Sequence, residues 1–209
     1  MSIKTYPLLA ALFVLSTPLH SQDHRVMVGL GAGSLSPDDP FQATLSFRGT
    51  AAWILNHRHA VSFTYTRQSA NRSTNEDLGR YARQLIGVSW QYAFQEAFYD
   101  EEHLKQQYFL SLGTGIMTRG PTRDVDPVQD LSNAPFFNVG LSIRYPIVTG
   151  LAVLGSLEDD FALLPQQTLN TRCNATTCFP EGSGLFYTFD VPGDTQHNFG
   201  LFILLQWRP

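Results

Sequence analysis

Hydrophobic and polar residues alternate along this chain over stretches of about ten positions, and turn-forming residues separate the stretches. A period of two places every second side chain on the same face of a β-strand, so each stretch predicts a strand with one apolar and one polar face. Eight stretches show this pattern: residues 25–35, 41–55, 58–67, 82–94, 105–117, 136–146, 150–161 and 196–207. No segment has a convincing helical period, so the chain predicts an all-β fold.

The composition of the polar face indicates which way it points. The alternation alone leaves this open, because a soluble ligand-binding barrel has apolar residues inside and polar residues outside. Small residues crowd the polar face: Gly29, Gly31, Gly33, Ser46, Gly87, Ser89, Ser111, Gly113, Gly115, Gly140 and Ser142. A barrel of eight strands has an interior only just wide enough for side chains, so this crowding predicts that the polar face lines the interior.

Aromatic residues of the apolar face cluster near the ends of the stretches, as they do where rings settle at the two interfaces of a bilayer. One predicted girdle, at the outer rim, contains Phe41, Tyr65, Phe137, Phe161 and Phe199. The other, at the inner rim, contains Trp53, Tyr92, Tyr108, Tyr145 and Trp207. We therefore expect the apolar face to contact outer-membrane lipid.

The lengths of the connections alternate. Short connections stand at 56–57 and 148–149, whereas the long polar segments 68–80, 118–135 and 162–195 all fall on one side. Outer-membrane barrels have short periplasmic turns and longer extracellular loops. The pattern predicts an eight-stranded antiparallel up-and-down transmembrane β-barrel with both chain termini in the periplasm. Two connections fit less well, since 37–40 is a short outer loop and 98–103 is a long inner turn.

The first 21 residues have the features of an export signal: Lys4, an apolar stretch at 8–15 and small or polar residues around Ser21. We expect residues 1–21 to be a signal peptide and residues 22–209 to form the barrel domain. Export makes a disulfide possible between the two cysteines, Cys173 and Cys178. The alternative is a pair of free thiols.

The C-terminal segment HNFGLFILLQWRP alternates apolar residues and runs into an aromatic residue, Trp207. Together with the eight alternating stretches, it resembles the eight-stranded outer-membrane barrels of the OmpA and OmpX type. The resemblance implies a location in the outer membrane of a Gram-negative-type bacterium. It also implies that the barrel-assembly machinery binds the terminal strand during insertion.

Four charged residues on the predicted inward face form a candidate polar network in the lumen: Arg48, Arg144, Glu158 and Asp160. Charges in a narrow interior need partners, because an uncompensated buried charge is strongly destabilising. One interpretation is a salt-bridged plug that fills the barrel, and the other is a gated path for protons or ions. The plug is the favoured interpretation.

Catalysis is not expected from this sequence. Lipid A deacylase barrels use a histidine and a serine two residues apart on a lipid-facing strand, together with a carboxylate. His197 is the nearest candidate, but Phe199 stands where the serine nucleophile would be needed. A lipid-modifying enzyme therefore stays a minor alternative.

The charge of the chain argues against nucleic acid as a partner. A formal net charge of -4 with only 14 Lys and Arg residues provides no basic patch for nucleic acid. Asp124, Asp126 and Asp130 are too few ligands for calcium, so neither a metal nor another cofactor is expected.

The leading hypothesis is a structural, surface-interaction or complex-accessory protein, with a protein partner in the envelope or at the cell surface. The alternative is a small diffusion pore.

Overall fold

A computed structural model describes residues 25–37, 44–71, 80–95, 106–121, 131–172, 177–180, 182–191 and 193–208. Within these ranges the chain forms ten β-strands. They are β1 Val26–Pro37, β2 Thr44–Ile54, β3 His59–Asn71, β4 Arg80–Ala93, β5 Gln107–Pro121, β6 Leu131–Val148, β7 Leu151–Leu164, β8 Gln167–Thr171, β9 Tyr187–Val191 and β10 Asp194–Trp207. None of the described residues belongs to a helix that could cross a membrane.

Eight of these strands close into a barrel in the order β1-β10-β7-β6-β5-β4-β3-β2, and every neighbouring pair is antiparallel. The prediction of an all-β, eight-stranded, antiparallel up-and-down barrel is confirmed. The remaining two strands, β8 and β9, form a separate hairpin between β7 and β10. This corrects the expectation that residues 162–195 are a loop.

The register of the barrel determines how far its strands tilt. We followed each residue to its direct partner on the next strand, once around the barrel. The path starts at Ile54 in β2 and returns to β2 at Thr44, so closure shifts the register by ten residues. Ten residues of about 3.3 Å, set against eight strand spacings of about 4.8 Å, correspond to a tilt of about 40°. This is the tilt of small closed barrels.

Side chains alternate between the outside of the wall and the lumen as the sequence predicted. In β2, Leu45 and Phe47 are 64% and 62% exposed, whereas Ser46 and Arg48 are 0% and 5% exposed. In β10 the exposed Leu201 and Ile203 alternate with the buried Phe202. The wall therefore has an apolar outside and a largely polar, small-residue interior, the reverse of a soluble barrel.

The two ends of the barrel differ. The terminal end, where β1 starts and β10 finishes, carries the short turns after β2 and β6. At the opposite loop end several strands extend beyond the predicted stretches, so that β3 continues to Asn71, β5 to Pro121 and β6 begins at Leu131. The backbone ladder needs no apolar side chains. The alternation therefore ends where outward positions become polar, as at Arg67, before the strand itself ends.

The aromatic residues on the outside of the wall lie at two levels. Trp53, Tyr92, Tyr108, Tyr145 and Trp207 lie at the terminal end, within about 4 Å of one plane once the tilt is included. Tyr65, Phe137, Phe161 and Phe199 lie about 18 Å higher, three to six residues inside the loop ends of their strands. Phe41 is outside the described residues. Bilayer contact at these two levels stays a prediction.

Close packing of β1 against β10 depends on glycine. A Cβ at Gly33 would lie against the backbone of Leu201 and 2.7 Å from Cα of Phe202. We expect Gly33→Val to lower the free energy of unfolding by roughly 1–3 kcal/mol, the usual cost of overpacking. Urea unfolding of the refolded barrel in lipid vesicles measures the change.

Gly155 provides the matched control for Gly33. A Cβ there would have no atom within 4 Å, so Gly155→Ala should change the free energy of unfolding by less than about 0.5 kcal/mol. Equal stability of the two variants would show that β1 and β10 are not closely packed.

Candidate functional site

Arg48 crosses the lumen from β2 and makes three contacts with different parts of the wall. Its Nη1 atom lies 2.5 Å from Oε2 of Glu158 in β7, and its Nε donates a hydrogen bond of 2.8 Å to Oγ1 of Thr66 in β3. The guanidinium carbon lies 3.6 Å from the ring centroid of Phe202, a cation–π contact. Arg48 thus connects β2 to strands on both sides of the interior.

Two amides extend this ion pair toward the loop end. Asn138 Nδ2 donates hydrogen bonds to Oε2 of Glu158 at 3.3 Å and to Oδ1 of Asp160 at 2.5 Å. Asn198 Nδ2 donates to the backbone oxygen of Asp160 at 3.1 Å. Of the four predicted network residues, the structure therefore brings together Arg48, Glu158 and Asp160.

Arg144 is placed apart from the other three. It lies on β6 four residues nearer the terminal end than Gly140, the residue directly opposite Glu158. Its Nη1 donates a hydrogen bond of 3.0 Å to Oε1 of Gln107 in β5. Arg144 and Glu158 share the inward face of neighbouring strands, but the sequence could not show that they lie at different heights.

Hydroxyl groups line the lumen below the Arg48–Glu158 pair. Ser62 lies directly opposite Ser89, with 3.2 Å between their Oγ atoms, and Ser142 lies directly opposite Ser156. Together with Ser111, these serines border a cavity. The volume in which the centre of a water molecule can lie is about 30 Å³. One water needs about 10–15 Å³ of such space. The cavity has room for two or three waters and is too small for an organic substrate.

Large buried side chains occupy both ends of the lumen. Ile54 and Phe109 lie at the terminal end, and Leu35, Met117 and Phe136 lie toward the loop end. Each of these side chains is at most 4% exposed. The described residues therefore form a filled interior in which a small polar chamber lies between two ends where apolar side chains pack beside buried polar ones, such as Arg83 at the loop end and Gln107 at the terminal end.

The β8–β9 hairpin, which we call the arm, continues the β7–β10 hairpin in the same register. Leu164 opposes Asp194 in the barrel, and three residues further along each strand Gln167 opposes Val191 in the arm. Pro165 lies between the two paired segments. Because proline has no backbone N–H, it cannot donate a hydrogen bond to the opposite strand. The arm is therefore an extension of one barrel hairpin at the loop end.

Side-chain hydrogen bonds join the two strands of the arm and attach its base. Thr168 Oγ1 donates to Oδ1 of Asp190 at 2.9 Å, and the backbone N–H of Ser132 in β6 donates to Oε1 of Gln167 at 2.6 Å. These polar cross-strand pairs explain why the hairpin was missed. Its alternation does not separate apolar from polar residues, although its threonine-rich composition is typical of strands.

Apolar groups are exposed next to the arm. Leu185 and Phe186, just before β9, are 56% and 45% exposed. The rings of Phe179 and Tyr187 are stacked with centroids 4.4 Å apart, and Oγ1 of Thr177 lies 2.9 Å from the hydroxyl of Tyr187. The loop end thus presents an aromatic and apolar surface supported by hydrogen bonds.

Several predicted features fall partly or wholly outside the described residues. Cys173 lies outside the described residues, so the Cys173–Cys178 disulfide stays a prediction. The three aspartates considered for calcium, Asp124, Asp126 and Asp130, also lie outside, as do residues 1–24 with the predicted signal peptide.

Comparison with known proteins bears on the fold. No protein-family model and no curated protein matches the chain. Among solved structures, Neisserial surface protein A is similar, with a TM-score of 0.60 and 11% identity over 88% of this chain and 97% of that one. The outer membrane protein OprG from Pseudomonas aeruginosa is similar, with a TM-score of 0.57 and 10% identity over 88% of this chain and 97% of that one.

The chain has the fold of the small outer-membrane β-barrels. At these identities the likeness concerns architecture, and it supports an outer-membrane location. The fold of a small outer-membrane barrel does not distinguish an interaction protein from a pore or an enzyme, because function depends on the site and not on the scaffold.

The ion pair of Arg48 with Glu158 should be important for the stability of this barrel. Glu158→Leu leaves Arg48 buried without its carboxylate, which should lower the free energy of unfolding by about 3–5 kcal/mol. The double variant Arg48→Met with Glu158→Leu should recover most of this loss, because no unpaired charge remains. Urea unfolding in lipid vesicles measures both variants.

Arg67 is the matched control, since it is an exposed arginine on the outside of β3. Arg67→Met should change the free energy of unfolding by less than about 0.5 kcal/mol. A loss below 1 kcal/mol for Glu158→Leu alone would contradict the structural importance of the ion pair.

Proposed function

We propose that this protein is an outer-membrane barrel that presents the arm at the cell surface as an interaction element. In this proposal the loop end is extracellular and both chain termini are periplasmic. The observation that carries it is the asymmetry of the described residues, among which the β7–β10 hairpin continues in register beyond the barrel as the arm. Long extracellular loops and short periplasmic turns are the usual arrangement in bacterial outer-membrane barrels.

The geometry favours interaction over transport. Buried side chains fill both ends of the lumen, which leaves no wide path for transport. In this proposal the barrel is a rigid scaffold. Exposed apolar residues in a polar surrounding mark protein interaction sites, and Leu185 and Phe186 are such residues. The partner would be a protein of the envelope or of another cell surface. A Cys173–Cys178 disulfide would close a small loop next to β8 and restrict its motion.

The orientation of the arm is tested by labelling. Ser183 is exposed beside the arm, and Asn56 is exposed in the turn after β2 at the opposite end. In a background with serine at both native cysteine positions, Ser183→Cys should react with a membrane-impermeant maleimide on intact cells. Asn56→Cys should react only after the outer membrane is permeabilised. The reverse pattern would contradict the proposed orientation.

A partner of the arm is tested by photo-crosslinking from Phe186, with Asn56 at the opposite end as the control position. A photo-crosslinking amino acid at Phe186 should produce a discrete adduct on intact cells, whereas the same amino acid at Asn56 should not produce that adduct. Loss of the Phe186 adduct when Leu185 is changed to Ser would show that the apolar surface makes the contact. The interaction role would be wrong if the crosslinking amino acid produced no adduct at Phe186 and none when placed instead at Leu185.

A second candidate function is a small diffusion pore, and the chamber lined by serine hydroxyls favours it. Arg48 crosses this lumen to Glu158, so its removal should widen the path if the lumen conducts. A pore predicts single-channel currents for wild type in planar bilayers, and a larger conductance for Arg48→Ser, with exposed Arg67→Ser as the matched control. The absence of currents from both wild type and Arg48→Ser would exclude the pore and leave the packed scaffold.

A further inference from the structure

Two carboxylates lie next to each other on one side of the lumen. Glu158 and Asp160 are two residues apart on the inward face of β7, and both line the polar chamber. Nδ2 of Asn138 donates hydrogen bonds to both of them, at 3.3 Å to Oε2 of Glu158 and at 2.5 Å to Oδ1 of Asp160. Two negative charges thus share a single amide donor in the interior of the barrel.

Only one of the two carboxylates has an arginine as its partner. Nη1 of Arg48 contacts Oε2 of Glu158, and among the described residues no arginine forms an ion pair with Asp160. Arg83, which lies further toward the loop end, donates a hydrogen bond of 3.1 Å to Oδ1 of Asn198. Arg48 and the two carboxylates together therefore carry one net negative charge.

One oxygen of Asp160 is the atom at which this charge needs compensation. Asp160 is 2% exposed, and its Oδ1 accepts the hydrogen bond from Asn138. Its Oδ2 is also buried, and no described residue donates a hydrogen bond to it. A buried carboxylate in this position either takes up a proton or binds a cation, because an isolated buried charge is strongly unfavourable.

The space beside Asp160 favours a cation over a proton. The chamber that Asp160 lines has a volume of about 30 Å³ for water centres, which is room for two or three waters at about 10–15 Å³ each. A proton needs no such space, whereas a cation and the waters that surround it do. Ser156 lines the same chamber, and its Oγ is buried without a hydrogen bond from any described residue. The chamber therefore offers oxygen atoms both to a cation and to its waters.

We propose that the chamber binds one alkali cation, Na⁺ or K⁺, against Oδ2 of Asp160, with chamber waters as further ligands. The net charge sets the valence, because one positive charge balances the excess carboxylate. A divalent ion fits less well, since Ca²⁺ takes roughly six to eight oxygen ligands, several of them from carboxylates. Among the described residues, no group of three or more His, Cys, Asp or Glu side chains could hold a metal ion.

The bound cation completes the charge balance of the lumen. Arg48 neutralises Glu158, and the cation neutralises Asp160 in the same chamber. The site exists only when β6 and β7 are paired, because Asn138 and Asp160 lie directly opposite each other on these strands. A ligand that binds the folded state and not the unfolded chain stabilises the fold. The proposal is independent of the membrane orientation and of any partner of the arm.

The test measures how the identity of the cation changes the folding equilibrium. The full mature chain is refolded in phosphatidylcholine vesicles at mildly alkaline pH, where protons compete least for Asp160. Urea unfolding is then followed in equal concentrations of NaCl, KCl or choline chloride, since choline is too large for the chamber and keeps the ionic strength constant. The folding equilibrium constant of wild type should be roughly 10-fold larger in NaCl, in KCl or in both than in choline chloride, as for a ligand at ten times its Kd.

Two variants with the same substitution locate the ion. Asp160→Asn keeps the size of the side chain but removes its charge, so its folding equilibrium constant should be equal in the three salts. Asp159→Asn is the matched control, because Asp159 faces outward and its Oδ2 lies 3.2 Å from Nδ1 of His197. This control should keep the salt dependence of wild type. A shift on heating in gel electrophoresis confirms that each variant is folded, and Asp160→Ser takes the place of Asp160→Asn if the latter does not fold.

Two results would overturn the proposal. One is equal stability of wild type in the three salts, which would mean that a proton and not a cation compensates Asp160. The other is a preference for Na⁺ or K⁺ that the folded Asp160 variant retains, which would place the ion elsewhere. Because these measurements require neither conduction nor a surface partner, they are independent of the bilayer currents and of the crosslinking experiment on the arm.

Discussion

Lipid supplies no hydrogen-bond partners to a backbone, and this constraint underlies the rest of the structure. Antiparallel pairing of β1 with β10 closes the sheet and leaves the barrel without an edge. Closure with a ten-residue offset sets the tilt and thereby the width of the interior. Because that interior is narrow, glycines such as Gly33 lie at the closest approach of β1 to β10, and only a few long side chains fit between the walls.

The same closed wall gives polar groups two different environments. Inside, Arg48 and Glu158 meet across the lumen and are satisfied further by Thr66 and Asn138. A buried pair of this kind contributes little net stability, but breaking it leaves an uncompensated charge, so it favours one arrangement of the interior. Outside, a polar group meets either lipid or the interface, and only a local partner can compensate it. The side chain of His197 has such a partner in Asp159.

The loop end is the part of the molecule where the barrel constraint no longer applies. Once strands rise above the apolar wall, their outward side chains become polar while the backbone ladder continues. Among the described residues, the hairpin of β7 and β10 continues furthest, interrupted near Pro165, and forms the arm in the same register. Hydrogen bonds of Thr168 with Asp190 and of Thr188 with Asn170 join its two strands. The interaction role proposed for the arm thus falls on an element that the apolar wall does not constrain.

The amino-acid sequence by itself determined the all-β class, the eight barrel strands and the identity of their inward and outward faces. It could do so because a period of two is local: Phe47 and Arg48 lie on opposite faces wherever the strand goes. Height along the barrel axis is not local, since it depends on the stagger accumulated over all eight strands. Only the tertiary structure could therefore place Arg48 against Glu158 and separate both from Arg144. For the same reason, the pairing of Asp159 with His197, 38 residues apart, and the continuation of β7 and β10 into the arm depend on register between strands, which no single stretch of sequence encodes.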